Sequence, residues 1–219
     1  MRRDFSPPPK PIPIKRIVIA FIVLVIGIFL FQFIFRGNSS SHVTEPVISH
    51  RTPLFPAIST DALDATQRKL LQILQTEYDK DPKSYDQTVL TYTEDNEESW
   101  CADFISWAFL KAGKPLTNPN NGYWRIPGVL SLQQYFKDND QYVTVDTTYT
   151  PKLGDVAFYI GAQTPDNTSG EHAAIVIESN EDSITTIGGN EGDGIMRLRT
   201  ESIQINKDKG LVGYGQLRL

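Results

Sequence analysis

The chain changes its period at Tyr142, and that change limits the folds open to it. Before Tyr142, apolar residues recur at the three-and-four spacing of helices. After it they come in short runs rich in branched residues, separated by Gly, Asn, Asp or Pro. Tyr142–Val145, Asp155–Ile160, Ala173–Glu178, Ser183–Ile187, Ile195–Arg199 and Leu211–Leu217 read as six strands. Helices first and strands second predicts an α+β domain, an antiparallel sheet with helices packed on one side. No internal repeat is visible.

Upstream, Leu63, Leu70, Leu71, Leu74 and Tyr78 mark one face of a helix over Asp61–Asp79, with Thr60 or Ser59 as its cap. Asp79–Ser99 is polar and acidic. The next helical stretch, Ser99–Gly113, holds the single cysteine. Cys101, Phe104, Ile105, Ala108, Phe109 and Ala112 follow the spacing of one helix face. Ser99 is the expected N-cap and Gly113 the expected terminator. Cys101 then lies in the first turn, where the positive end of the helix dipole favours a thiolate. Glu97, Glu98 and Asp103 crowd the same helix start, and carboxylates facing the sulfur would oppose it. A turn-rich connection, Lys114–Pro127, carries Pro119-Asn120-Asn121-Gly122 and Tyr123-Trp124. A short third helix is expected over Val129–Phe136.

The N-terminal quarter has a different character. Ile17–Phe35 is apolar except for Gln32, long enough to cross a hydrocarbon core as a helix. Arg2, Arg3, Lys10, Lys15 and Arg16 precede it, against Asp4 alone, so residues 1–16 form a basic, proline-rich cytoplasmic tail and the remainder lies outside. The apolar run exceeds a signal-peptide core, and no small-residue cleavage site follows it, so an uncleaved anchor over 17–35 is expected. Residues 36–59, with Ser39-Ser40-Ser41 and scattered prolines, read as an extracytoplasmic linker, and 60–219 as the folded domain.

Charge divides along the same boundary. The 219 residues include 21 basic and 26 acidic side chains. With the six basic residues up to Arg36 and Asp4 set aside, 15 basic and 25 acidic remain, a net charge of −10. A nucleic-acid or acidic-polymer binder is excluded on that balance. One cysteine permits no internal disulfide, so an unpaired thiol in an exported domain needs another explanation.

Of three histidines, His42 and His50 fall in the linker. A cysteine nucleophile that needs an imidazole base can therefore take only His172, at the head of H-A-A-I-V-I-E. The polar stretch Thr164–Glu171 before it is expected to leave it accessible. A third group should hold the imidazole by its other nitrogen. Asn190 follows the next strand, and Glu191, Asp193 and Glu171 are rivals. One Cys and one His do not make a usual zinc site, and no metal or other cofactor is expected.

Trp100-Cys101-Ala102-Asp103-Phe104-Ile105-Ser106-Trp107 resembles the cysteine motif of the CHAP family, the cysteine- and histidine-dependent amidohydrolase/peptidase domains of bacterial cell-wall enzymes. Three further pieces match in order. They are Pro151-Lys152-Leu153-Gly154-Asp155, His172-Ala173-Ala174-Ile175-Val176 and Gly188-Gly189-Asn190. The resemblance implies a papain-like core and cleavage of an amide bond in peptidoglycan, by a muramoyl-alanine amidase or a peptide endopeptidase. It implies Cys101 as nucleophile, His172 as base and then acid, and Asn190 as the orienting residue. Many members carry a Glu two residues before that Asn, where this chain has Gly188. The backbone N–H of Cys101 is placed for an oxyanion. Trp100, Trp107 and Trp124 are core or groove walls, with Trp100 and Trp124 the candidates for substrate contact. Asp155 belongs to the turn into its strand. A wall acyl- or peptidyl-transferase and a non-catalytic binding module are the competing expectations.

Overall fold

The computed structural model describes residues 53–146, 148–161 and 171–218. The expected tail, membrane helix and most of the linker lie outside the described residues. Among the described residues no helix is long and apolar enough to cross a membrane.

The architecture is α+β. Helices α1 (Ala65–Asp79), α2 (Gln87–Thr93), α3 (Cys101–Ala112) and α4 (Val129–Asp138) precede a sheet of β1 (Tyr142–Thr144), β2 (Val156–Ile160), β3 (Glu171–Ser179), β4 (Ser183–Glu191), β5 (Ile195–Ser202) and β6 (Leu211–Gly215). A short α5 (Ile203–Asp208) joins β5 to β6. The strand order is β1-β6-β2-β3-β4-β5, every neighbouring pair antiparallel.

Helix α1 starts later than expected, because Asp64 rather than Thr60 or Ser59 caps it. The Asp64 carboxylate accepts from the N–H groups of Thr66 (2.7 Å) and Gln67 (2.9 Å). The Gln67 side chain returns to the Asp64 N–H, completing a capping box. Helix α2, which shows no usable periodicity in seven residues, is opened by Asp86, whose carboxylate accepts from Val89 N–H at 2.8 Å.

Strand alternation gives the sheet two apolar faces. Val156, Phe158, Ala173, Ile175, Ile177 and Ile187 pack with the helices, chiefly Leu70 and Leu74 of α1 and Phe104, Ile105 and Phe109 of α3. Ala157, Tyr159, Ala174, Val176, Ile184 and Tyr214 form a second, smaller core on the other face. Helix α3 is buried along most of its length and packs against α1, β3 and β4. An element sequestered on nearly every side tolerates little displacement, so its first turn is held firmly against the sheet. Asp155 ties the turn before β2 to the chain end. Its carboxylate accepts from Tyr149 Oη, Lys152 N–H and Leu217 N–H at 2.5, 2.7 and 2.9 Å.

Candidate active site

Cys101 occupies the first turn of α3 and is 4% exposed. The residue before it, Trp100, is the N-cap, with no side-chain cap hydrogen bond; the expected Ser99 cap is not formed. The first-turn N–H groups of a helix have no partner within it, so the positive end of α3 is left for whatever approaches Cys101. Gly113 ends the helix in the left-handed conformation, φ +88°, as expected.

Trp100 is not a groove wall. It is fully buried, packed against Tyr92 (ring centroids 5.9 Å) and Phe104 (6.4 Å). Its indole N–H donates to Ser84 Oγ at 3.0 Å. The Ser84 hydroxyl is directed at Gly194 O (3.1 Å) and Asn190 Oδ1 (3.4 Å). The indole also lies over Gly189, where any Cβ would collide with the ring. Asn190, Ser84, Trp100 and Gly189 therefore fix the start of the cysteine helix against the end of β4.

His172, the second residue of β3, lies across from Tyr159 of β2, ring centroids 6.0 Å apart. It is fully buried, so the expected accessibility is not found. The group placed against its imidazole is Glu191, with Nε2 to Oε1 at 3.5 Å, and not Asn190. The backbone supplies the reason. Asn190 has φ +58°, and the β4–β5 register shifts between Gly188 and Glu191. An irregularity of this kind re-aims the side chains around it. Asn190 thereby turns to Ser84, and the Glu191 carboxylate comes to the imidazole.

Gly188 completes this arrangement. A Cβ there would stand 2.9 Å from His172 Nε2 and would collide with Glu191 Oε1. The carboxylate of residue 191 thus lies in the space over residue 188, the position where the resemblance calls for a Glu. Glu191 is 1% exposed, and its second oxygen, Oε2, is held by Arg199 Nε of β5. A buried carboxylate needs such a counter-charge. Burial, then the Glu191 charge, push the Tyr159 phenol well above its ordinary range.

The contacts among the described residues therefore join His172 to Glu191 and Tyr159, and Asn190 to Ser84. They include no hydrogen bond from the Cys101 thiol to the imidazole. Helix α3, which carries Cys101, packs on both β3 and β4.

The acidic helix start is resolved by a residue that sequence reasoning missed. Arg125, from the connection after α3, reaches Asp103 Oδ1 at 2.9 Å and also engages Glu98. Asp103 is fully buried, and burial outweighs the Arg125 attraction, raising its carboxyl to about 7. The connection is shaped by Asn118, which accepts from Asn120 N–H (2.9 Å) and donates to Arg125 O (2.7 Å). Tyr123 is about half exposed, and its hydroxyl donates to Glu94 at 2.8 Å. Trp124, packed beside Tyr123 at 5.6 Å, is partly buried against the main core. It stays on the side of the domain that bears the cysteine helix.

Residues 93–190 match the family model of the CHAP domain. The matched segment runs from the last residue of α2 to the displaced Asn190, and so encloses Cys101 and His172. It ends one residue before Glu191. No curated protein and no solved structure matches the chain.

Proposed function

We propose that the protein is a membrane-anchored peptidoglycan hydrolase with a papain-like core, cleaving an amide bond through Cys101. One observation carries this. The segment that matches the CHAP domain has its one cysteine at a helix N-terminus and its one histidine against a buried carboxylate.

In this mechanism His172 takes the Cys101 proton, and the thiolate attacks the amide carbonyl of a muramoyl-alanine or stem-peptide bond. The first-turn N–H groups of α3 stabilise the oxyanion. His172 protonates the leaving amine and then activates the water that releases the acyl group from sulfur. Glu191, against Nε2, orients the imidazole, and in this reading the ring serves the thiol and the leaving group in turn. Asn190 acts on the site by holding Ser84 and Trp100. Trp124 and Tyr123 form the substrate side of the domain. The apolar run Ile17–Phe35 anchors the chain, the basic tail stays inside, and the domain works on wall close to the membrane.

The test is the full-length protein in detergent with purified peptidoglycan, with products identified by mass spectrometry. New lactyl groups would identify an amidase and new amino termini an endopeptidase. Identical products from wild type and Cys101→Ala would rule out hydrolysis at Cys101. Added amine acceptors would appear in the products of a transferase.

Burial of both Cys101 and His172 favours a second reading, a wall-binding module without turnover. Alkylation of native protein separates the two. A hydrolase gives prompt, stoichiometric modification of Cys101 that slows in His172→Ala. A binding module gives a thiol that reacts only on unfolding.

A further inference from the structure

We propose that Arg199 is the positioning residue of this site, holding the Glu191 carboxylate in the place from which it orients His172. This rests on the assignment of His172 as the base. The geometry comes from three strands. β3 supplies His172, β4 supplies Glu191 after its register shift, and β5 supplies Arg199 opposite Thr186. Glu191 reaches the imidazole from a position three residues beyond Gly188, across an irregular backbone. A carboxylate on such a lever has several rotamers open to it. Arg199 Nε takes Oε2 and leaves Oε1 directed at Nε2, which selects one of them. The guanidinium is planar and keeps its charge, so it provides direction together with a counter-ion.

The surrounding charges leave this task to Arg199. Arg197, two residues away on the same face of β5, lies against Gly192. Glu201 is engaged by Lys209 of the α5–β6 turn. Tyr159 of β2 faces the imidazole with its phenol kept neutral by burial, and its hydroxyl donates to Asn206 at 2.6 Å. Glu171 neighbours His172 along β3 and is partly exposed. Of these groups, Arg199 is the one that binds the carboxylate facing His172.

A residue that acts only through Glu191 must lose its effect once Glu191 is neutralised. The experiment titrates the His172 imidazole by NMR in the full-length protein, for wild type, Arg199→Gln, Glu191→Gln and the double variant. Kinetics on peptidoglycan are run in parallel. Arg199→Gln is expected to move the imidazole midpoint by about 0.5 pH unit or more. In the Glu191→Gln background the same change should move it far less. Turnover should fall on the order of 10²-fold, with KM within about twofold. Equal midpoint shifts in both backgrounds, or none in either, would overturn the proposal. If Arg199→Gln does not fold, Arg199→Lys, which keeps the charge without the planar fork, is read by the same comparison. The two ideas fail separately. An inactive wild type that shows the coupling removes the hydrolase and keeps the Arg199–Glu191–His172 linkage. An active wild type without the coupling removes Arg199.

Discussion

At the residue scale, the acidic helix start is a balance between burial and one arginine. Asp103 has its carboxyl raised to about 7 because the cost of burial exceeds what Arg125 returns. The sign of the effect on stability follows. Between the ordinary Asp value of about 3.9 and the raised value, the folded state holds a proton that the unfolded state has lost. This group's contribution to stability is therefore complete below pH 4 and declines as pH rises toward 7. The slope reaches at most about 1.4 kcal/mol per pH unit. Asp103→Asn should flatten this decline. Chemical denaturation at pH 5 and pH 7.5 checks it: the wild type should lose more stability between the two than the variant, and equal losses would contradict the assignment. The same chemistry bears on Cys101, since a neutral or arginine-paired Asp103 does not oppose a thiolate two residues away in the same turn.

At the scale of elements, the irregular end of β4 determines the site. Gly188 and Gly189 leave room on opposite faces, one for Glu191 and His172, the other for Trp100. Gly189→Ala should cost about 1–3 kcal/mol, because the indole beneath it has no free space to move into. Gly188→Ala should also cost about 1–3 kcal/mol, since Glu191 and His172 are buried, and in addition should displace the carboxylate, so that turnover falls further than it does in Gly189→Ala. Thermal unfolding and kcat for the two variants read that contrast. Elsewhere the caps behave locally. Asp64→Ala should lose about 0.5–2 kcal/mol, with no change in KM.

The same element shows what a sequence can and cannot convey. Helices α1, α3 and α4 are legible because their apolar residues keep the helical spacing, and the six strands because each is a short run rich in branched or aromatic residues bounded by turn residues. Helices α2 and α5 are hidden, since seven and six residues are too few to display one. Cys101 and His172 stand out as candidates because no other cysteine or histidine follows the linker. Glu191 does not stand out against Asn190. A strand read at period two gives no warning of the register shift that exchanges their directions. The Arg125–Asp103 pair spans 22 positions with no local signature, yet the buried Asp beside a helix start could have prompted a search for a nearby cation. The expected accessibility of His172 rested on the polarity of the preceding stretch. Polarity there does not decide whether a side chain near the start of the strand is buried.

At the scale of the whole molecule, the chain combines a domain of net negative charge with a basic, apolar N-terminus. If that N-terminus is the anchor, deleting residues 1–36 should move the protein from the membrane fraction to the soluble fraction and leave its activity on soluble muropeptides intact. Fractionation together with a muropeptide assay checks both halves. A truncated protein that stays with membranes would contradict the anchor. The proposal that the domain turns over wall peptides through one sulfur is tested most directly by mass. Full-length protein is quenched in acid during turnover of soluble muropeptides and mapped by peptide mass spectrometry. Hydrolysis through Cys101 predicts an added acyl fragment on the peptide containing Cys101, absent in Cys101→Ala along with the products. Products formed with no such adduct, and formed equally by Cys101→Ala, would contradict it.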